Sequence, residues 1–537
     1  MKLRIFALIF SSLLYPLTLV ADDVQHHDGR EAGEKLGTVN FPTSCAPKVQ
    51  QPFERGLALL YSFEYEESEN QFKEVAAQDP KCAMAYWGQA MSLYHQLWSR
   101  PDKDDLKRGG ELLEKARQVK TITARERDYI EALAVFYHDP EKLDHKKRAD
   151  AYAEAMAGVY QRNPNDREAG IFYALALLSS GPERDPNLTN ARKAVAILDK
   201  LFDQQPDHPG IAHYIIHACD NPAMAGLGLA AARKYAAIAP SSAHAVHMPS
   251  HIFARLGLWQ DDINSNLAAL QAADKMAGMG LHTMHHRMHS MDFLDYAYLQ
   301  IGDDQNAKAQ MDRLAAFHRQ DIEEDYRDYY DSEVTGFAAR YALERRQWKE
   351  ALALQPVAGA RPGVQVETWW AHAVAAGHLH DAASAQDALS HYDQLLEALK
   401  KSPRAYMADG LKNEHDEVKA WAAFAQGKAD EAVGLLRAAA DEQDKVGKGD
   451  SVQPAREMLA DMLLELKRPQ DALREYEVSL KTDPNRFNGL YGAAQAAEAT
   501  QQKQKAAGYY AQLLKNCQGS HSDRPELERA RTLVAQN

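Results

Sequence analysis

Along most of this chain apolar residues recur three and four positions apart, in paired stretches separated by short polar turns, which predicts successive amphipathic helices. The pairs themselves repeat. Near the C-terminus Leu459, Ala460, Leu463, Ala472, Tyr476 and Pro484 form one set of small and large packing positions, and Ala494, Ala506 and Tyr510 begin to repeat it. Near the N-terminus Gly56, Leu59, Tyr65, Phe72 and Pro80 fit the same template, and Gly88 with Met91 opens the next unit. Pro206 and Pro240, each at the end of a unit, stand 34 residues apart. Two helices with an apolar face that neither can bury alone must stack on their neighbours, so the expected fold is all-α, a helical solenoid with a concave groove. Pro- and Gly-rich loops at 181–187 and 355–363 interrupt the pattern, and no stretch reads as a strand-rich domain.

The ends and the charge narrow the class. Lys2 and Arg4 precede an apolar run from Ile5 to Val20, and Ala21 is followed by Asp22 and Asp23, the pattern of a secretory signal peptide cleaved after Ala21. No Cys follows that site, which argues against a lipid anchor, and no later stretch reaches the ~18 continuous apolar residues of a membrane span. The expected organisation is a signal peptide at 1–21, an extended segment at 22–48, a first solenoid at 49–325 with a histidine-rich groove, and a second at 326–537. The expected product is exported and soluble, periplasmic in a Gram-negative source. A formal charge of −14 argues against nucleic acid as a partner. Of the four cysteines, Cys45 precedes the first helix of the first unit and Cys82 opens the first helix of the second, so the two are expected at the same end of adjacent helices, joined as a disulfide. Cys219 is expected in the core, and Cys517 has no evident partner. The aromatic stretch from Ala83 to Trp98 is expected to pack, and His378 with His380 to face solvent in a turn.

The unit length and packing residues resemble the tetratricopeptide repeat, and that resemblance implies that positions 2, 5, 9 and 12 of a unit line the groove. Ten of the 22 histidines lie between His208 and His289, a window in which an even spread would place about three. Counted from Pro209, His213, His217 and Asp220 fall at positions 5, 9 and 12; counted from Ala243, His244, His247 and His251 fall at 2, 5 and 9. A third unit from Met288 puts His289, Asp292 and Tyr296 at 2, 5 and 9. His213 and His247 are one repeat apart, as are His217 and His251, so equivalent imidazoles on stacked helices are expected to share an ion. Pro249 is read as part of the first turn of its helix, where a missing N–H costs nothing. Between the second and third units an insertion, Lys275 to Arg287, holds Met276, Met279, His282, Met284, His285 and His286, and Met288 and Met291 follow. Thioether with imidazole suits copper, while adaptable packing is the other role open to these methionines.

Several strings resemble a widespread group of exported bacterial tetratricopeptide-repeat proteins: SCAPKVQQPFERGLALLYSFEYEESENQF, DPKCAMAYWGQAMSLYHQLW, HPGIAHYIIHACD and HAVHMPSHIFARLGLW. The likeness runs from about Phe41 to about Gly302 and implies fold and export. Catalytic signatures (HExxH, GxSxG, a Walker A loop, GxGxxG after a strand) do not occur. The expectation is therefore a transition metal ion, zinc, copper, nickel or iron, held by His213, His217, His247 and His251, with Asp220, His244, His289 and Asp292 as further ligands or orienting groups. A metal-dependent hydrolase or oxidoreductase, and a metal-free scaffold that holds a peptide or envelope protein in its groove, are the alternatives.

Overall fold

Large rings seated on small residues set the stacking of the helices. Phe72, on the second helix of the first pair (Gln50–Tyr61 and Tyr65–Gln78), lies between Gly56 and Gly88, where an added Cβ would come within 2.8 and 2.6 Å of its ring. Tyr476 uses Gly492 in the same way at the other end of the chain. Each ring thereby locks one pair to the next, which is the contact that a repeat cannot make alone. In the computed structural model, which describes residues 34–535 apart from 98, 182–184, 281, 323, 403 and 450, helices follow in pairs to Phe487–Ala499 and Lys503–Asn516, with Pro525–Ala535 last. No strand occurs among the described residues, so the fold is all-α. None of their helices is long and apolar enough to cross a membrane. The predicted signal peptide, 1–21, and the first part of the extended segment lie outside the described residues.

From Lys35 the chain runs without regular structure to the short helix Pro47–Val49. This arm is bound to successive unit ends: Lys35 exchanges bonds with Ser241, Thr38 N–H reaches the Asp207 carbonyl at 2.9 Å, and Phe41 is buried among Phe53, Trp87 and Tyr129. Cys45 and Cys82 are joined as a disulfide beside it. Cys219 and Cys517 are both free and buried. Residues 35–537 form one compact unit, and position 325/326 falls in the first turn of the helix Glu324–Glu344.

Inside that unit the chain coils until distant pairs touch. The first pair meets the helix Pro209–Cys219. The last pairs meet the middle of the chain: Trp259 Nε1–H donates to the Asn485 carbonyl at 2.8 Å, Asn485 Nδ2 donates to the Gly257 carbonyl at 3.1 Å, and Arg524 pairs with Asp304 at 2.6 Å.

Four local features take definite form. Pro249 is the first residue of its helix, Pro249–Arg255, as expected, and a separate short helix, Ala243–His247, capped by the Ser242 side chain, leads into it. The ring removes a helical N–H, His251 N–H turns to the Met248 carbonyl, and the Ser250 hydroxyl donates to the His247 carbonyl at 2.7 Å. The insertion at 275–287 lengthens the helices on either side, Trp259–Gly278 and Met284–Gln300, as well as the turn between them. His378 is not solvent-facing: its ring stacks on Trp348 at 3.9 Å and pairs with Glu465 at 2.5 Å, whereas His380 is exposed. The aromatic stretch from Ala83 leaves its helix at Tyr94, with Trp87 and Tyr94 in the core, and Trp98 lies outside the described residues.

Candidate metal centre

The first helices of three consecutive pairs, Pro209–Cys219, Ala243–His247 with Pro249–Arg255, and Met284–Gln300, bring six imidazoles together as two triads, His213–His217–His244 and His247–His251–His289. Within each triad one ring nitrogen from every histidine lies within 4.8 Å of the other two. The partners are not the equivalent positions expected from the repeat. Each triad instead combines positions 5 and 9 of one unit, an i, i+4 pair on one helical face, with position 2 of the next.

What faces the far side of each ring decides its chemistry. His213 Nδ1–H donates to the Tyr61 carbonyl at 2.6 Å, one of the carbonyls that a helix end leaves without an internal partner. Its Nε2 is thereby bare, 3.0 Å from His244 Nε2 and 3.0 Å from His217 Nε2. Asn266 donates through Nδ2 to Asp262, to the carbonyl at 3.1 Å and to Oδ1 at 2.7 Å, which leaves its Oδ1 to accept from His247 Nδ1–H at 2.6 Å. His251 Nδ1–H donates to Asp220 Oδ2 at 3.1 Å, while Arg255 Nε–H holds Asp220 Oδ1 at 2.9 Å. The Nε2 atoms of His247 and His251 lie 3.1 Å apart. A tetrahedral ion with ligand distances of about 2.0–2.1 Å sets its nitrogens about 3.3 Å from one another, close to these separations.

A proton can bridge two nitrogens; each triad brings a third within 4.8 Å of both. Burial, reinforced by repulsion among neighbouring rings, drives His213, His244, His247 and His289 well below the ordinary histidine pKa, and burial likewise brings His217 to about 3. Neutral imidazole is the ligating form. Asp220 is buried, which works against its charge, but Arg255 and His251 overcome this and hold its carboxyl below the usual range. It is thus an orienting carboxylate behind a histidine, the arrangement that fixes tautomer and ring plane at metal sites.

Two phenylalanines wall the triads. Phe63 stacks on His217 and His244 and meets His213 edge-on at 4.4 Å; Phe293 packs on His247, His251 and His289 at 4.9, 4.8 and 5.3 Å. Phe63 occupies the left-handed turn position (φ 57°) that Gly257, Gly302 and Gly427 fill in other units. A bulky residue there costs about 1–2 kcal/mol of backbone strain that glycine avoids, and the ring it places covers the first triad. Phe63 carried a usable sequence signal, an aromatic at a turn position that glycine fills in several other units. Asn266, four residues after Asp262 on a second helix, carried a weaker one, and the Tyr61 carbonyl none.

The remaining expected residues go elsewhere. Asp292 binds Arg340 at 2.6 Å and the Ser451 hydroxyl at 2.9 Å, and Tyr296 meets Arg486. Met276, Met288 and Met291 lie in hydrophobic clusters and Met279 is exposed.

A family profile described as tetratricopeptide repeat matches residues 53–104, 417–487 and 457–521. The chain carries tetratricopeptide repeats. Among solved structures it is similar to the P58(IPK) TPR domain (14% identity, 91% of this chain and 99% of that one, TM-score 0.20) and to the APC/C hetero-tetramer Cut9–Hcn1 (10% identity, 90% and 89%, TM-score 0.32). No curated protein sequence matches the chain. The match at 53–104 includes the residues that carry Phe63, and those at 417–521 cover the pairs that close onto the middle of the chain. The histidine-bearing helix pairs lie between them.

Proposed function

We propose that this tetratricopeptide solenoid is an exported transition-metal-binding protein whose two histidine triads hold metal ions side by side. The observation that carries the reading is the convergence of three imidazole nitrogens in each triad, with the Nδ1 protons of His213, His247 and His251 already committed to oxygen acceptors. Three neutral imidazoles suit zinc, copper, nickel and iron, and three nitrogen ligands leave a fourth position open in a tetrahedral ion. The burial of Met276, Met288 and Met291 in hydrophobic clusters favours an all-nitrogen donor set over a thioether-assisted copper site. Export is supported by the leader-like first 21 residues and by the disulfide, which persists in an oxidising compartment.

The test is elemental analysis of untagged protein from its native compartment, beside His213→Ala/His217→Ala and His247→Ala/His251→Ala. Two equivalents of a transition metal in the wild type and one in each double variant are expected. A metal-free wild type that also takes up no zinc, copper, nickel or iron overturns the proposal and leaves the tetratricopeptide groove as a protein-binding surface.

A further inference from the structure

Next to the triads lies a cavity of about 380 Å³, bounded by the turn after Gln50–Tyr61, the helices Tyr65–Gln78 and Ala83–Tyr94, and the approach to Met284–Gln300. Its lining is strongly acidic: Glu64, Glu66, Glu67, Glu69 and Asp105 face it, and its single arginine, Arg108, is engaged by Glu69 at 2.7 Å. Its inner wall is imidazole. His286 Nε2 lies 3.4 Å from Glu64 Oε2, and its ring is 6.1 Å from that of His244, in the first triad. His285 lies parallel to His289, in the second triad, at 5.8 Å between ring centres. His286 and His285 thus stand between the cavity and the first and second triads.

We infer that this cavity is the route by which metal cations reach the histidine triads, and that the centre therefore exchanges a cation with solution and excludes anionic substrates. The inference rests on the metal-binding reading above. Carboxylates in a concave wall concentrate cations and hold a hydrated divalent ion weakly, which lets it move on. His285 then offers imidazole to an ion losing water, and the triads offer three at once, so that binding strengthens inward. A phosphate ester or carboxylate substrate meets the opposite field, which disfavours a hydrolase of anionic substrates working through this opening.

The experiment is stopped-flow loading of the metal-free full-length protein with cobalt(II), followed by its visible absorption. The variant Glu66→Lys/Glu67→Lys reverses two charges on the cavity wall, Glu66→Gln/Glu67→Gln removes them more gently, and Glu111→Lys/Glu114→Lys makes the same reversal on an exposed face outside it. Association is expected to slow about tenfold or more in the first variant, less in the second, and not in the third, with unchanged final stoichiometry in all. The steep salt dependence of the wild-type rate is expected to flatten in the first two. Cavity variants that load at the wild-type rate with wild-type salt dependence overturn the route while leaving the metal centre standing. A wild type that binds no cobalt overturns the metal reading itself.

Discussion

Two interiors built from the same helix pairs solve the problem of buried polar groups differently. In the C-terminal pairs, charge is answered from within. Arg486, fully buried, donates to Glu457 at 2.9 Å and to Glu344 at 2.6 Å and meets Tyr296; Arg456 pairs with Asp441, Asp444 and Glu475; Arg346 pairs with Asp461. Around the histidines the outer nitrogens of His213, His247 and His251 are answered from within, but the inner ones face neighbouring imidazoles. The unit from Met288 is where the two modes meet: its position 2, His289, joins a triad, while positions 5 and 9, Asp292 and Tyr296, turn to Arg340 and Arg486. A repeat can thus carry, at the same register, an ion network that closes on itself or a cluster of facing imidazoles.

The largest test removes the internal answer. Arg486→Met leaves Glu344 and Glu457 buried without their cation, and a loss of about 3–5 kcal/mol is expected in chemical unfolding. If the two interiors are independent, the folded variant still loads its full complement of metal. Next, chelation of the bound ion is expected to lower stability by about 2.7 kcal/mol relative to protein at a metal concentration a hundredfold above Kd, read as a fall in melting temperature. A variant lacking both triads should show no such fall. Asp220→Asn keeps the shape but weakens the support behind His251, and metal affinity measured by competition with a chelator is expected to drop about 10–100-fold at unchanged stoichiometry.

The smallest effect concerns pH. Burial, with Glu414 nearby, raises Glu367 to about 8, so in the folded protein it is protonated where the unfolded chain is charged. Its contribution to stability is therefore full below the ordinary glutamate range, declines as pH rises, and levels off above about 8. The Glu367→Gln variant should flatten that slope. His217, brought by burial to about 3, has the reverse sign: metal-free protein loses stability as pH falls from the ordinary histidine value towards 3. Urea unfolding monitored at pH 5 and pH 8 separates the two.

Much of this was legible in the residues themselves. The helical period and the 34-residue spacing identified the pairs, put His213 with His217 and His247 with His251 on common faces, and brought Cys45 to Cys82, because all of these follow from a rise and rotation per residue that does not depend on the rest of the chain. Pro249 opens its helix as its sequence position suggests, whereas the short helix Ala243–His247 before it shows only once the Ser242 cap is seen. The pairing within the triads was also beyond reach, since positions 5 and 9 meet position 2 of the next unit only through the tilt of stacked helices.

The sequence by itself thus determined the repeat, the register of the histidines and the chemistry they offer. Tertiary structure alone decided that Tyr61, Phe63 and Glu64 stand over histidines more than 140 residues away, and that Asn485 and Arg486 close onto the units that follow them in space. Small rotations between neighbouring pairs add up along a solenoid, and their sum, set by every Gly and ring at every junction, is written in no single residue.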